Sequence, residues 1–184
     1  MTGFYETSQF EFVSLLKSNW QIIKQELNQL RQGDFIPWSE KFLYGKGWDT
    51  FGLYAFGIKI NKNCELCPEI TKLIEAIPNL ATAGFSSLAP GTHIAPHTGY
   101  PDGMLRYHLG LIIPEGCGIG VCTETRNWSE GKCLIFSDKL EHEAWNKGAS
   151  IRVVLLIDFK QPESPLDSSQ LQQRQRFPSI FNFL

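Results

Sequence analysis

The sequence predicts an α+β fold, mainly β, with N-terminal helices buttressing a β-sandwich or barrel. Two observations carry this. Helical periodicity is confined to the N-terminal part of the chain. From residue 82 onward, short apolar or alternating stretches are separated by Gly, Pro and Asn at intervals of about ten residues, the rhythm of a two-sheet or barrel body.

The first helix is expected over residues 9–31. Ser8-Gln9-Phe10-Glu11 has the form of a capping box, and Leu16, Trp20, Ile23, Leu27 and Leu30 recur at alternating steps of four and three, with Gly33 as the stop. Phe51, Leu53 and Ala55 alternate with Gly52, Tyr54 and Phe56, which predicts a strand. A second helix starts near Pro68, presents Ile70, Leu73, Ile74 and Ile77 on one face, and ends at Pro78. The expected strands then fall at 84–89, 93–96, 104–113, 118–123, 132–136, 142–145 and 151–159. We expect one domain over residues 1–160, N-terminal helices included, and a C-terminal tail over 161–184. The tail's polar part gives way to the aromatic run Phe177-Pro178-Ser179-Ile180-Phe181-Asn182-Phe183-Leu184, which is expected to dock on the body or a partner.

The 184 residues suffice for one real core, and 42% hydrophobic with 20% charged residues reads as globular. A formal net charge of -2 without a Lys/Arg cluster argues against a nucleic-acid partner. The N-terminus lacks the features of a secretory signal, and no apolar run approaches the roughly 20 residues that cross a bilayer. A cytoplasmic protein without membrane insertion is expected. Five cysteines are an odd count for a disulfide framework. Cys64 and Cys67 form a C-x-x-C, but a zinc site wants a second pair. Cys117 and Cys122 could complete one in principle; a reduced pair at a helix start is the preferred reading.

The chemistry lies with four histidines, His93, His97, His108 and His142, and two arginines. In the stretch Leu105 to Leu111, strand alternation puts Arg106, His108 and Gly110 on one face and Leu105, Tyr107, Leu109 and Leu111 on the other. A face carrying Arg and His inside such an apolar strand needs partners, because an unpaired buried charge is costly. Arg152 opens the apolar strand Val153–Ile157; alone it reads as a strand-end Arg reaching solvent or a structural carboxylate. His97 and His142 on separate strands, with two arginines on neighbouring strands, change that reading. Imidazole suits iron(II), and Arg suits bidentate capture of a carboxylate. A small metal-chelating dicarboxylic acid would use the whole set.

The run Leu88-Ala89-Pro90-Gly91-Thr92-His93-Ile94-Ala95-Pro96-His97-Thr98-Gly99, the R-x-H-L-G-L strand at Arg106–Leu111, and the segment from Trp128-Ser129-Glu130-Gly131-Lys132 through Phe136-Ser137-Asp138 to Glu141-His142-Glu143-Ala144-Trp145 resemble the aspartyl/asparaginyl β-hydroxylases. The likeness runs in order from about Gly47 to Phe159. It implies a double-stranded β-helix, the cupin-like jelly roll, and a dioxygenase using Fe(II), 2-oxoglutarate and O2. It implies that His97 and His142 bind the metal, that Arg152 and Ser86 hold the distal carboxylate of 2-oxoglutarate, and that Arg106 and His108 hold its chelating end. His97, His142 and Arg152 are thus the expected catalytic set.

Many such oxygenases add a carboxylate to two histidines. Here Gly99 stands where it would be. The resemblance implies water in that place; a halide ligand, as in halogenases, or a dead site are the other readings. The expected reaction is hydroxylation of the β-carbon of an aspartyl or asparaginyl group in a peptide, carrier-bound or small soluble substrate. Alternatives are oxidation of another metabolite or a lipid, halogenation, and a non-catalytic jelly-roll binding module. A binding module has no physical need to keep His97, His142, Arg106, His108 and Arg152 together.

Three further readings stay open. On a regular strand His93 shares the face of His97 and is a candidate third ligand, but Pro90 and Pro96 interrupt regular geometry there, and a place outside the site is preferred. Glu141 and Glu143 either orient a ligand or lie at the surface. Trp48 and Trp145 line the pocket or pack as core.

Overall fold

The computed structural model describes residues 3–99 and 103–160. The expected tail from residue 161 lies outside the described residues. Two helices open the chain, α1 (Phe12–Ser18) and α2 (Trp20–Gln29), followed by strands β1 (Ile36–Pro37), β2 (Trp48–Ala55) and β3 (Ile58–Lys59). Helices α3 (Asn61–Leu66) and α4 (Pro68–Glu75) come next. Eight strands complete the described chain: β4 (Leu80–Leu88), β5 (His93–His97), β6 (Met104–Ile112), β7 (Cys117–Val121), β8 (Glu124–Arg126), β9 (Cys133–Ser137), β10 (His142–Asn146) and β11 (Arg152–Lys160).

The single helix expected over 9–31 is two. The apolar spacing continues through the break, so periodicity does not reveal it. The cause is local: Asn19 and Ser18 both donate their side chains to the Leu15 carbonyl, at 2.9 and 3.1 Å, competing with the helical ladder. Asn19 then leaves helical geometry at φ -106° and ψ 11°. The expected capping box is not formed either: Thr7–Gln9 make a 3-10 turn and no side chain caps α1. The chain leaves α2 at Leu30, before Gly33. Helix α4 starts on Pro68 as expected, and its N-terminus is satisfied by a distant residue. The Glu26 carboxylate of α2 accepts from the amides of Glu69 and Ile70 at 2.7 and 2.8 Å, so a buried acid is matched to free helix-end donors.

The major sheet runs β1-β2-β4-β11-β6-β9, with β3 on β2; the minor sheet runs β5-β10-β7-β8. From β4 onward, successive strands are shared between two facing sheets. The major one takes the first, eighth, third and sixth of these eight strands; the minor one takes the second, seventh, fourth and fifth. This is the double-stranded β-helix, a jelly roll. Strand alternation sorts the two sides of the major sheet. Val153, Leu155, Ile157 and Phe159 of β11, with Leu105, Tyr107, Leu109 and Leu111 of β6, pack under the helices with Leu16, Ile23, Ile70 and Ile74. The opposite face meets the minor sheet in a second cluster that includes Trp48, Leu88, Ile94, Ile119, Trp128 and Phe136. Polar groups are set into this second interior. No helix among the described residues is long and apolar enough to cross a membrane.

Candidate active site

His97 ends β5 and His142 begins β10, and the two are register partners across the antiparallel pair. Their rings lie 4.2 Å apart between centroids. Each Nδ1 sits 2.8 Å from a carbonyl two residues earlier, Ala95 for His97 and Leu140 for His142. A carbonyl only accepts, so each Nδ1 carries a hydrogen, and Nε2 is the nitrogen left to face a metal. His142 Nε2 is buried without a hydrogen-bond partner among the described residues. Burial, with Arg106 nearby, pushes the His142 pKa down to about 3, so the ring is neutral at neutral pH. Among the described residues no group of three or more His, Cys, Asp or Glu is arranged to hold a metal. A divalent ion here would take two imidazoles, and the donor set fits one that accepts imidazole.

The place beside these rings that Gly99 leaves is filled by protein. A Cβ on Gly99 would lie 1.7 Å from Oδ2 of Asp138, and the Gly99 amide donates to the Asp138 carbonyl at 2.7 Å. Asp138, in the turn between β9 and β10, is fully buried, and its Oδ1 lies 3.5 Å from His142 Nε2. A carboxylate thus stands beside the histidine pair, supplied by the β9–β10 turn. No periodic pattern in the sequence marks Asp138, although it lies four residues before His142.

Behind the histidines the interior holds two buried guanidinium groups in opposite states. Arg106 of β6 donates Nε and Nη2 to Asp158 at 2.7 and 2.9 Å, and its Nη1 lies 2.8 Å from Asp138. Burial opposes its charge, but Asp158 and Asp138 outweigh burial and raise its pKa. Arg152 of β11 is 1% exposed and has no acidic partner among the described residues. It donates Nη1 to the Ser86 carbonyl at 3.2 Å, leaves Nε unpartnered, and lies 4.8 Å over the Trp128 ring. Burial pulls its pKa down to about 9, which measures how poorly the cation is compensated.

His108 is buried with neither ring nitrogen partnered among the described residues; burial, then Arg152 and Arg106, hold its pKa well below the ordinary value. The Ser86 hydroxyl accepts from Trp48 Nε1 at 3.0 Å. Ser86, His97, Arg106, His108, His142 and Arg152, all singled out from the sequence, line one interior cavity. An outer pocket of about 110 Å³ shares Trp48, His97 and Arg106 with it and adds Trp38, Glu40, Thr98, Gly99 and Asp138.

His93 is not on the face of His97. The β5–β10 register slips between His142 opposite His97 and Ala144 opposite Ile94, so β5 spends three steps against two. That bulge inverts side-chain parity. His93 points outward, exposed, and pairs with the half-buried Glu143 at 2.7 Å. Glu141 is exposed too, so neither glutamate orients a ligand. Backbone carbonyls do that. Trp48 lines both pockets; Trp145 packs beside Gly118 and Lys147, outside them. Cys64 and Cys67 are free thiols in the helix-side core, and burial raises the Cys67 pKa to about 12. The sequence offered no periodic signal for Trp38 and Glu40, which lie in an aromatic- and Gly-rich stretch.

A family model described as aspartyl/asparaginyl beta-hydroxylase matches residues 17–162. The aspartyl/asparaginyl beta-hydroxylase of Homo sapiens is 37% identical over 187 residues, covering 95% of this chain and 24% of that protein. An ornithine lipid ester-linked acyl 2-hydroxylase of Rhizobium tropici is 38% identical over 169 residues, covering 86% of this chain and 60% of that protein. The chain therefore spans a quarter of the first relative and less than two thirds of the second. Among solved structures, an oxidoreductase of the 2OG-Fe(II) oxygenase family from Burkholderia pseudomallei aligns at a TM-score of 0.53 with 9% identity, covering 82% of this chain and 88% of that one; the likeness is one of fold.

Proposed function

The chain belongs to the aspartyl/asparaginyl β-hydroxylase family, and from that premise we propose that it is an Fe(II)- and 2-oxoglutarate-dependent dioxygenase that hydroxylates the β-carbon of an aspartyl or asparaginyl group. One observation carries the reading: Arg152, a fully buried cation without an acidic partner among the described residues, lines the same cavity as the His97–His142 pair. The buried cation requires an anion, and the paired imidazoles offer lone pairs to a metal. A dicarboxylate that also chelates the metal answers both.

In this reading His97 and His142 hold iron, Arg152 with Ser86 takes the distal carboxylate of 2-oxoglutarate, and neutral His108 faces its chelating end. Arg106 has given Nε and one hydrogen each of Nη1 and Nη2 to Asp158 and Asp138, so it offers the cosubstrate only the second hydrogens. Its larger part is to fix Asp138. When bound with O2, iron and 2-oxoglutarate supply the oxidising power to place oxygen in a C–H bond, releasing succinate and carbon dioxide. The Ala95 and Leu140 carbonyls keep the imidazole lone pairs aimed at the metal. Asp138, as an acceptor, can hold a water beside it. A halide in that place would meet the Asp138 carboxylate, which favours hydroxylation over halogenation.

The test is anaerobic addition of Fe(II) and 2-oxoglutarate to the apo-protein. We expect a visible charge-transfer band that His97→Ala and His142→Ala abolish. Folded, iron-loaded protein without the band would overturn the cosubstrate assignment.

A second reading, hydroxylation of a lipid acyl chain, is favoured by two observations. The Rhizobium relative is an acyl hydroxylase. The segment carrying Trp38 and Glu40 also bears Ile36, 65% exposed, and Phe42, 82% exposed, apolar groups suited to an acyl chain. Product analysis separates the two: oxygen on an amino-acid β-carbon or on a fatty acyl chain.

A further inference from the structure

We propose that the outer pocket selects a substrate carrying a free primary ammonium group, taken by the Glu40 carboxylate beside the indole of Trp38. The inference rests on the dioxygenase reading above for what happens to the substrate, but not for its binding.

The outer pocket adjoins His97 and Asp138, so it is the space through which a substrate carbon reaches the histidine pair. Its wall is rigid. Trp38 stacks on Trp48 with centroids 4.8 Å apart and planes 16° from parallel, and its amide donates to the Trp48 carbonyl at 3.0 Å. The Tyr44 ring edges onto Trp48, and the Tyr44 hydroxyl donates to the Trp38 carbonyl. Glu40 is locked to this wall by a 3.0 Å bond from Trp38 Nε1 to Oε2. No Lys, Arg or His among the described residues forms an ion pair with Glu40; Arg106 feels its charge only beyond contact distance, held as it is by Asp158 and Asp138.

Counting what the pocket offers a ligand decides the sign. Glu40 and Asp138 are acceptors. The one guanidinium in the wall, Arg106, already has all three nitrogens on Asp158 and Asp138. A carboxylate set against Glu40 would meet a like charge and find the one cation of the wall already engaged, at a cost in repulsion, which within the reading above favours an asparaginyl amide over an aspartyl carboxylate. An ammonium gains a charge-assisted bond to Glu40, whose carboxylate the Trp38 indole N–H already holds in place. A residue inside a peptide, whose nitrogen is an amide, lacks that group. The ammonium can come from a soluble amino compound or from the amino headgroup of a lipid.

The test uses the full chain with Mn(II) and 2-oxoglutarate, follows tryptophan fluorescence, and titrates pentylamine, N-acetylpentylamine and pentanoate. A parallel titration uses phosphatidylglycerol vesicles with or without phosphatidylethanolamine. Pentylamine should bind at least about tenfold tighter than its acetylated form, and pentanoate more weakly than either. Glu40→Gln should remove the preference, and Glu40→Lys should turn it toward pentanoate. Preference for pentylamine assigns a soluble amine; a response only to phosphatidylethanolamine vesicles assigns a lipid headgroup. No amine preference in either arm, pentanoate binding as well as pentylamine, or an unchanged preference in Glu40→Gln overturns the proposal. A protein that shows the preference but gives no charge-transfer band with Fe(II) loses the cosubstrate reading and keeps this one.

Discussion

Asp138 and Gly99 occupy one space: the Asp138 carboxylate lies where any side chain at position 99 would begin, 1.7 Å from an ideal Cβ to Oδ2. The glycine is therefore a requirement of packing, and the acid beside the histidines comes from a turn rather than from β5. Because Arg106 holds Asp138 at 2.8 Å, the carboxylate cannot swing away freely.

Gly99→Ala should accordingly destabilise the protein by about 1–3 kcal/mol, the usual cost of overpacking. Asp138→Gly empties the same space. In the double variant the two costs should fall short of their sum by at least about 0.5 kcal/mol, since the clash is gone. Urea unfolding of the four proteins measures this. Strict additivity would mean that the two residues do not share the space.

Arg152 sets stability against binding. An unpaired buried guanidinium costs folding free energy, and an apolar replacement of similar length removes that cost. Arg152→Met should stabilise the metal-free protein by about 1–3 kcal/mol. It should also weaken 2-oxoglutarate binding by about 2–5 kcal/mol, at least some 30-fold. Unfolding curves and a cosubstrate titration read the two effects separately. A destabilised Met variant with unchanged affinity would assign Arg152 a purely structural part.

His108 predicts how the metal-free protein responds to acid. Its folded-state pKa is depressed by burial and the two arginines, while the unfolded chain titrates at about 6.5. The unfolded state thus binds the proton first. Stability is fully present above about pH 6.5 and declines as pH falls below it, by up to about 1.4 kcal/mol per pH unit for this one site. His142, depressed to about 3, adds a similar slope over pH 6.5 to 3. His108→Gln should flatten the fall in melting temperature between pH 6.5 and 4. An identical slope in the variant would show that His108 is already protonated in the folded protein.

What the sequence makes legible follows from what is periodic. The alternation of Leu105, Tyr107, Leu109 and Leu111 with Arg106 and His108 describes β6 as it is, because burial on a strand has period two. The break at Asn19 is hidden because the apolar stripe of Leu16, Trp20, Ile23 and Leu27 crosses it unchanged. His93 misleads for a related reason: parity counted along β5 fails once the bulge adds a residue, and only the partner strand fixes where that residue goes. Asp138, Trp38 and Glu40 sit in turns and short irregular segments. Their relation to Gly99, His97 and Trp48 is made by tertiary packing, which local pattern does not encode.

The histidines allow a test with an internal control. His97 and His93 lie on the same strand, yet one faces His142 across the sheet pair and the other meets Glu143 in solvent. Removing one of two imidazole ligands should cost more than removing a group that merely orients a ligand, which typically weakens metal affinity 10- to 100-fold. His97→Ala and His142→Ala should therefore lower Fe(II) affinity by more than about 100-fold. Both should stay folded, since each removes only an imidazole and its one carbonyl contact. His93→Ala should leave affinity unchanged, because an exposed ion pair contributes little even to stability. Anaerobic equilibrium dialysis with circular dichroism distinguishes the cases. Loss of iron in His93→Ala but not in His97→Ala would move the metal to the outer face of the minor sheet and refute the assignment of the interior pair.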